Sequence, residues 1–550
     1  MKDATFSSAR LLELYDRISD SEDAIPRLRR FVLDLAVRGK LVEQDASDEP
    51  AAELLKRIAK EKARLVQQEG IGKQAPFNSV LAEDQPFDIP STWEWVPATY
   101  PSYSVSDLGK KIQTKDVLET GKYPVVDQGK VFIRGFCDDS DKVIKVQRPL
   151  IVFGDHTRET KLIDFDFVVG ADGVKLLQPV CVDHGYYFLV LNWLPLESRG
   201  YGRHFKMLKA SVVPLPPLAE QHRIVAKVDE LMALCDQLDQ ARAGREAVRD
   251  RLTTASLARL TAPETDAETF QSHARFALQS LPTLTTRPDQ IKTLRQTILD
   301  LAVRGKLVAQ DAGDETAEDL LKQVQPHIKI KSDRSKSDEK DAIPHGWAWA
   351  RIDELSDVGT GVTPSKSEPA YHNNGSVPWV NSAATNYPTI ASVETFVTEQ
   401  AVNECRLKIY PPGSLVVALY GQGKTRGQVA ELRIAATVNQ ACAVIVFPEG
   451  FESLRSYIQL SLKKQYVEMR SLAEGGAQPN LNLGKIKSLE LPIPPLAEQH
   501  RIVAKVDALM ALCDQLEASL TTTATTRSKL LNALLHEALE PDVKAIEAAE

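Results

Sequence analysis

A fourteen-residue stretch, Pro216-Pro217-Leu218-Ala219-Glu220-Gln221-His222-Arg223-Ile224-Val225-Ala226-Lys227-Val228-Asp229, occurs twice in this chain, letter for letter. The second copy runs from Pro494 to Asp507, and both copies continue into Leu-Met-Ala-Leu-Cys-Asp-Gln-Leu, at Leu231 to Leu238 and Leu509 to Leu516. Internal repetition of this kind decides architecture before composition does. The period is far too long for a solenoid, so a half-protein has been duplicated. Two more markers keep the same order. Asp34-Leu35-Ala36-Val37-Arg38-Gly39-Lys40-Leu41-Val42 returns at Asp300 to Val308, followed in both copies by x-Gln-Asp-Ala (Gln44 to Ala46, Gln310 to Ala312). Ile-Pro-x-x-Trp-x-Trp stands at Ile89 to Trp95 and at Ile343 to Trp349. The offset between copies changes from marker to marker, so the halves share an architecture and not a loop pattern.

The repeats read as a helical frame. Leu28, Phe31, Val32 and Leu35, then Leu54, Leu55 and Ile58, fall at helical spacing, so the chain to about residue 80 is expected to be helix, with Gly39 ending one segment. After Leu-Pro-x-Pro-Pro-Leu a long helix is expected from Ala219 to about Leu260, ~60 Å at ~1.5 Å per residue. Proline suits a first helical turn, and Glu220 or Glu498 there complements the helix dipole. Val228, Leu231, Cys235 and Leu238 form a heptad seam, repeated by Val506, Leu509, Cys513 and Leu516 and extended by Leu520, Leu530 and Leu534. Arg242, Arg245 and Arg249 occupy continuing seam positions in the first copy, leaving it imperfect or open to a partner. The seam cysteines read as helix-core packing. Residues 261–290 and 326–341 read as exposed connections, and the tail from about 537 as a frayed helix.

Between the markers the chain changes character. Tyr123-Pro124-Val125-Val126, Lys142 to Val146, Leu150 to Phe153, Leu415 to Ala418 and Ala443 to Phe447 are β-branched runs punctuated by Gly, Pro and Asp, which are strand signals. A length of 550 residues suits about three or four domains. The reading is α+β: two mixed α/β blocks separated by long helices that form an antiparallel coiled coil, with pseudo-two-fold duplication. Its expected divisions are 1–85 (helical), 86–215 (first block), 216–325 (central helical region), 326–341 (linker), 342–492 (second block) and 493–550 (C-terminal helix). The two blocks share little sequence outside their edges.

Composition sets outer bounds. No run approaches the ~20 apolar residues of a membrane span, and Met1 to Phe6 lacks an apolar signal core. The six cysteines include no C-x-x-C pair, so a cytoplasmic, metal-free chain is expected. Net charge is −8, which alone argues against nucleic acid. Yet positive and negative residues nearly balance within 89–217 and 343–495, so the acidity lies elsewhere.

Signals for catalysis fail on context. Asp357-Val358-Gly359-Thr360-Gly361 matches a D-x-G-x-G loop for S-adenosylmethionine, but no apolar strand precedes it and Thr363-Pro364 follows too soon for a helix. Ala418 to Thr425 fits a relaxed phosphate loop, but Arg426-Gly427-Gln428-Val429 is a poor helix start. It reads better as a surface loop carrying Lys424 and Arg426 toward a phosphate backbone. Gly154-Asp155-His156-Thr157-Arg158 has no accompanying nucleophile motif. Two unlike blocks on two near-identical frames suggest two copies of one partner and two different ligands; on duplex DNA that arrangement reads an asymmetric, bipartite site whose gap is set by helix length.

The three markers, together with Gly361-Val362-Thr363-Pro364-Ser365, Val377-Pro378-Trp379-Val380, Asn439-Gln440 and Gly475 to Leu483, resemble the specificity subunit of a Type I restriction–modification enzyme. Residues 123–177, with Val152 to Thr157 and Gly170 to Val174, resemble a target-recognition domain of another subtype. The resemblance implies a non-catalytic chain, serving defence against foreign DNA, that binds double-stranded DNA and docks two modification (methyltransferase) subunits. Those hold S-adenosylmethionine; restriction (motor and nuclease) subunits bring ATP and Mg; this chain binds no cofactor. Base reading needs Arg, Lys, Asn or Gln at base edges. The candidates are Gln128, Arg134, His156, Arg158 and Lys161, with Arg199, Tyr201, Arg203 and Lys206 for phosphates, in the first block. In the second they are Lys366, Asn381, Gln422, Lys424 and Arg426. Arg223, Lys227, Arg501 and Lys505 are the partner-facing candidates on the helices. Alternatives are the recognition subunit of a Type IIB-like or methylation-only system, or a scaffold that binds no DNA.

Overall fold

The computed structural model describes residues 21, 23–72, 76–170, 173–197, 202–262, 266–328, 342–420, 425–473 and 481–539. Two compact units divide the chain, Met1–Arg245 with Thr523–Glu550, and Glu246–Thr522.

In the first unit the helix Ala24–Val37 buries Ile25, Leu28, Phe31, Val32 and Leu35 along one face. It ends in a Schellman cap: Gly39 takes φ +67°, Gly39 N donates to Ala36 O at 3.5 Å and Lys40 N to Leu35 O at 3.0 Å. A Cβ on Gly39 would also stand 2.5 Å from Pro90 Cγ and 3.3 Å from Trp93. Two sequence markers therefore meet at one glycine. The third joins them, because Trp93 Nε1 donates to Glu220 Oε2 at 2.8 Å and Gln44 Nε2 to Glu220 Oε1 at 2.5 Å. The second helix, Ala51–Gln68, packs Leu54, Leu55 and Ile58 into the same core as Trp93, Ile224, Val228 and Leu231.

The first block hangs from this frame by a two-stranded stalk. Glu94–Pro97 pairs antiparallel with Val212–Leu215, Trp95 opposite Pro214, so the block's incoming and outgoing chain ends are adjacent. Its main sheet is antiparallel, in the order Ser102–Val105, Val174–Pro179, Leu150–Gly154, Thr160–Ile163. A second, mixed sheet contains Lys111–Ile112, Phe167–Gly170, Tyr123–Val126 and Gly135–Cys137, with Val143–Ile144 paired to Phe167–Gly170. Period-two alternation assigns the faces. Leu150 and Val152 pack between the sheets, while Ile151 and Phe153 face the helix His184–Trp193 and the frame.

The second unit repeats the plan. Pro288–Val303 ends in the same cap at Gly305 (φ +66°), where a Cβ would lie 2.5 Å from Pro344 Cγ and 3.0 Å from Trp347. Trp347 Nε1 donates to Glu498 Oε2 at 3.0 Å. Ala348–Arg351 pairs with Glu490–Ile493, Trp349 opposite Pro492. The block's main sheet runs Asp357–Thr360, Cys442–Val446, Leu415–Ala418, Val429–Leu432, Thr389–Ile390, and a smaller sheet holds Phe396–Val397, Val377–Val380 and Thr437–Val438.

The two blocks share the central part of their topology despite their divergent sequences. In each, the first strand pairs with the last, the last with a central strand, and the central strand forms a hairpin with its successor. In each, a Pro-containing strand (Tyr123–Val126 or Val377–Val380) pairs parallel with the strand that leads into the last one.

The long helices span Leu218–Thr261 and Leu496–Leu539. Cys235 and Leu238 of the first share a core with Leu531, Leu534 and Leu535 of the second, within the first unit. Cys513, with Val506, Leu509, Leu516 and Leu520, packs within the second unit on Ile291 and Ile298. Of the two readings of the seam arginines, the imperfect seam fits Arg242 and Arg249: Arg242 Nη1 donates to Ser21 O at 2.8 Å, and Arg249 pairs with Glu246 and donates to Thr283 O at 3.1 Å. One expectation is corrected. Residues 261–290 are not merely a connection, because Ala267–Leu284 is a helix capped by Asp266, with Phe270, Ala274 and Ala277 packed on Leu257, Leu260 and Leu301. Of 326–341, residues 329–341 lie outside the described residues, as does the tail beyond Leu539. No described helix is long and apolar enough to cross a membrane.

Candidate nucleic-acid interface

The central hairpin of each block carries a candidate cation in its loop, Arg158 in the first block and Arg426 in the second. In the first block Gly154 N donates to Glu159 O and Arg158 N to Gly154 O, both at 2.8 Å, closing a tight loop. Arg158 sits at φ +67°, a left-handed conformation that costs an L residue energy and fixes where its side chain leaves the turn. Its Nη1 donates to Leu196 O at 2.6 Å. Asp155 anchors the helix His204–Ala210 beside this loop: its carbonyl accepts from His204 N and its Oδ1 from Phe205 N, each at 2.8 Å. Arg203 and Lys206 are thereby exposed next to the hairpin. His156 N donates to Gln128 Oε1 at 3.1 Å, and its ring Nδ1 lies 3.3 Å from Gly202 O. A Cβ on Gly173 would meet both Gln128 and His156 within 2.8 Å, so backbone and side chains are close-packed there.

Gln128, His156, Arg158, Arg203 and Lys206 thus come together. Arg134 joins through Asp127, 3.9 Å away. Lys161 does not, and that expectation is corrected. Its ammonium is buried and donates to Asp127 O at 2.9 Å, Val131 O at 2.6 Å and Phe132 O at 3.4 Å. Burial pulls its pKa below the ordinary lysine value, with Asp127 opposing. Arg199 and Tyr201 lie outside the described residues.

In the second block the equivalent hairpin joins Leu415–Ala418 to Val429–Leu432, with Gly427 N donating to Ala418 O at 2.8 Å. A strand-to-strand hairpin is not the strand-to-helix turn of a phosphate loop. Likewise Asp357–Thr360 is a strand paired with Cys442–Val446, not a loop opening a helix. Gln422 and Lys424 lie outside the described residues. Arg426 is half-buried, and its Nε has no hydrogen-bond partner. Thr425 Oγ1 donates to Asn386 Oδ1 at 3.2 Å, and Asn439 N to Val380 O at 2.9 Å, so the loops after three strands converge. Asn381 Oδ1 accepts from Ala383 N at 2.9 Å, capping the turn Ser382–Asn386. Thr363 Oγ1 binds Gln440 Oε1, and a Cβ on Gly361 would overlap Val438 O at 1.6 Å, which pins the Gly361 to Thr363 segment onto the same cluster. Lys366 follows it, exposed.

The helix candidates divide. Arg223 donates to both Asp48 carboxylate oxygens (2.7 and 3.2 Å) and Arg501 to both of Asp314 (2.6 and 3.3 Å). These guanidinium groups clamp their own frames instead of standing free for a partner, a second correction. Lys227 is half-buried and paired with Glu230 at 2.8 Å, and Lys505 is exposed. Sequence reasoning missed the tyrosines that seat each block: Tyr186 OH donates to Pro214 O at 3.0 Å and Tyr457 OH to Pro492 O at 2.8 Å. Both are fully buried, and burial drives both hydroxyl pKa values far up. Only their place in an apolar helix after the last strand could have drawn attention to them.

The Type I restriction modification DNA specificity domain family matches residues 102–243 and 344–525, more than half of the sequence. The chain belongs to this family. It is 29% identical over 564 residues to the specificity subunit of the Type I restriction enzyme EcoEI of Escherichia coli, covering 94% of each chain. The EcoAI specificity subunit, also from Escherichia coli, is 28% identical over 570 residues, again with 94% of each covered. The crystal structure of the HsdS subunit from Thermoanaerobacter tengcongensis aligns with 84% of this chain and all of that one, at TM-score 0.39 and 18% identity. This is a specificity subunit of a Type I restriction–modification system. Both family segments contain a complete block sheet and the first turns of the following long helix, so block and helix repeat as one inherited piece.

Proposed function

We propose that this specificity subunit binds double-stranded DNA at an asymmetric, bipartite site, each block reading one part. The supporting observation is that one loop cluster, formed by the central hairpin and the segments after the neighbouring strands, recurs in both blocks with different side chains. Arg158, Arg203 and Lys206 in the first block, and Arg426 and Lys366 in the second, meet phosphates and fix register; Gln128, His156 and Asn381, whose side chains can pair with base edges, read sequence. The frames each dock one modification subunit, through helix faces that include the half-buried Lys227 and the exposed Lys505. Methyl transfer from S-adenosylmethionine, and ATP-driven cleavage, belong to companion chains in the cytoplasm, and this chain contributes selection.

The test is co-expression with the cognate modification subunits, followed by mapping of methylated adenines. A split, non-palindromic motif is expected, and alanine at Arg158 or at Arg426 should weaken DNA binding with little loss of fold stability. Absence of any new methylated motif in cells making all the subunits would reject the reading.

A further inference from the structure

Resting on the DNA-reading function above, a second feature of the same loops points to how bases are met. Val131, Phe132 and Ile133 stand at the tip of the loop between Tyr123–Val126 and Gly135–Cys137, 60%, 47% and 38% exposed. Three consecutive apolar side chains in water are unfavourable, and such patches mark contact surfaces. The fold nevertheless holds them out firmly. The buried Lys161 ammonium gathers the carbonyls of Asp127, Val131 and Phe132, and the Phe132 ring leans edge-on against Phe165 with centroids 6.1 Å apart. A buried lysine that organises a loop explains why the tip does not collapse. Exposed Lys130 and Arg134 flank it.

The second block does the same with different residues. The segment after Val377–Val380, in the topologically equivalent place, ends at Tyr387, which is 71% exposed. Its neighbour Asn386 is tied to Thr425 in the hairpin that carries Arg426. The first block therefore sets an exposed ring between two cations of its own loop, and the second sets an exposed ring on a segment bonded to the hairpin that carries Arg426. Cations suffice for phosphates; a ring next to them matches a nucleobase, because every base presents a π-face. Proteins on duplex DNA use such apolar side chains at unstacked base steps.

We propose that Phe132 and Tyr387 are base-stacking tips, each laying its ring on a nucleobase at a locally unstacked step of the target duplex. The experiment uses the full chain in complex with its cognate modification subunits and a duplex carrying the mapped methylation site, titrated at several salt concentrations. Phe132→Ala and Tyr387→Ala should each weaken binding about ten-fold. The slope of affinity against salt should stay unchanged, since no phosphate contact is lost, whereas Arg203→Ala should reduce it by about one. Phe132→Trp and Tyr387→Phe should retain wild-type affinity. Alanine variants that bind like wild type would overturn the proposal. So would alanine variants that keep the wild-type unfolding midpoint but no longer assemble with the modification subunits, which would place the tips in a protein interface. A wild-type complex that binds no DNA removes the functional reading itself and this inference with it, while normal wild-type binding with unaffected variants removes this inference alone.

Discussion

In the first half of the molecule both members of the Glu-Gln pair that opens the long helix are fully engaged. Glu220 accepts from Trp93 and Gln44, and Gln221 accepts from Asp183 N at 2.9 Å while donating to Pro216 O at 2.8 Å. In the second half the same two letters are only half engaged. Glu498 accepts from Trp347 and Gln499 donates to Pro494 O at 2.9 Å, but Glu498 Oε1 and Gln499 Oε1 are buried without a hydrogen bond. Gln310, the counterpart of Gln44, gives its amide to Gly305 O at 3.1 Å. The missing donor to Gln499 is a block residue, since Asp183 stands at the start of the helix His184–Trp193 in the first block. Identical frame sequence therefore does not mean identical energetics. The frame is completed by whichever block it carries, and a buried acceptor left unpaired costs about 1–3 kcal/mol.

The largest effect should be one the halves share. Gly39→Ala and Gly305→Ala each force an L residue into the left-handed region and drive a Cβ to 2.5 Å from a proline ring. Strain plus overpacking should cost about 2–4 kcal/mol at either site. Urea denaturation of the two single variants checks this. A loss at one glycine and none at the other would break the claim that the caps are equivalent.

The glutamines should separate the halves. Gln221→Leu strands both Asp183 N–H and Pro216 O, for about 2 kcal/mol, whereas Gln499→Leu strands only Pro494 O, for about 1 kcal/mol. Thermal melts of the pair should place Gln221→Leu lower. Equal midpoints would mean that the first block adds nothing to its frame.

The markers were legible in the sequence because they are local: the glycine cap, the tryptophan pair and the proline-led helix each announce themselves within a few residues. Their meeting at Gly39, Trp93 and Glu220 was not, since nothing local says that Gly39 needs Pro90 beside it. The helix Ala267–Leu284 was hidden by its Thr and Pro content, although Asp266 followed by Thr269 was a usable cap signal. The common topology of the blocks left only Tyr-Pro-Val-Val and Val-Pro-Trp-Val as a trace. Lys161 and Arg223 looked like free cations because a sequence carries no sign of burial or of a partner far along the chain. The loops expected to face DNA do converge, yet which side chains are spent on holding those loops is decided by contacts such as Lys161 with Val131.

The smallest effect, and the most diagnostic, belongs to the glutamates. Burial raises both the Glu220 and Glu498 carboxyls above the ordinary glutamate value, with the hydrogen bonds to their tryptophans opposing. A carboxyl raised in the folded chain keeps its proton over a pH window where the unfolded chain has already lost it. Folding is then favoured as pH falls into that window and weakened as pH rises through it. Glu498→Gln removes this buried charge, and its new amide can occupy the Oε1 side, where no donor opposes it. The unfolding midpoint should stay the same or rise, and its pH dependence should flatten. Glu220→Gln instead turns an amide N–H toward Trp93 or Gln44, both donors, and should cost about 1 kcal/mol. Melts of the two variants between about pH 5 and pH 7 read both effects. If the two substitutions cost the same at every pH, the glutamates occupy equivalent surroundings, and the difference between the halves does not reach beyond Gln221.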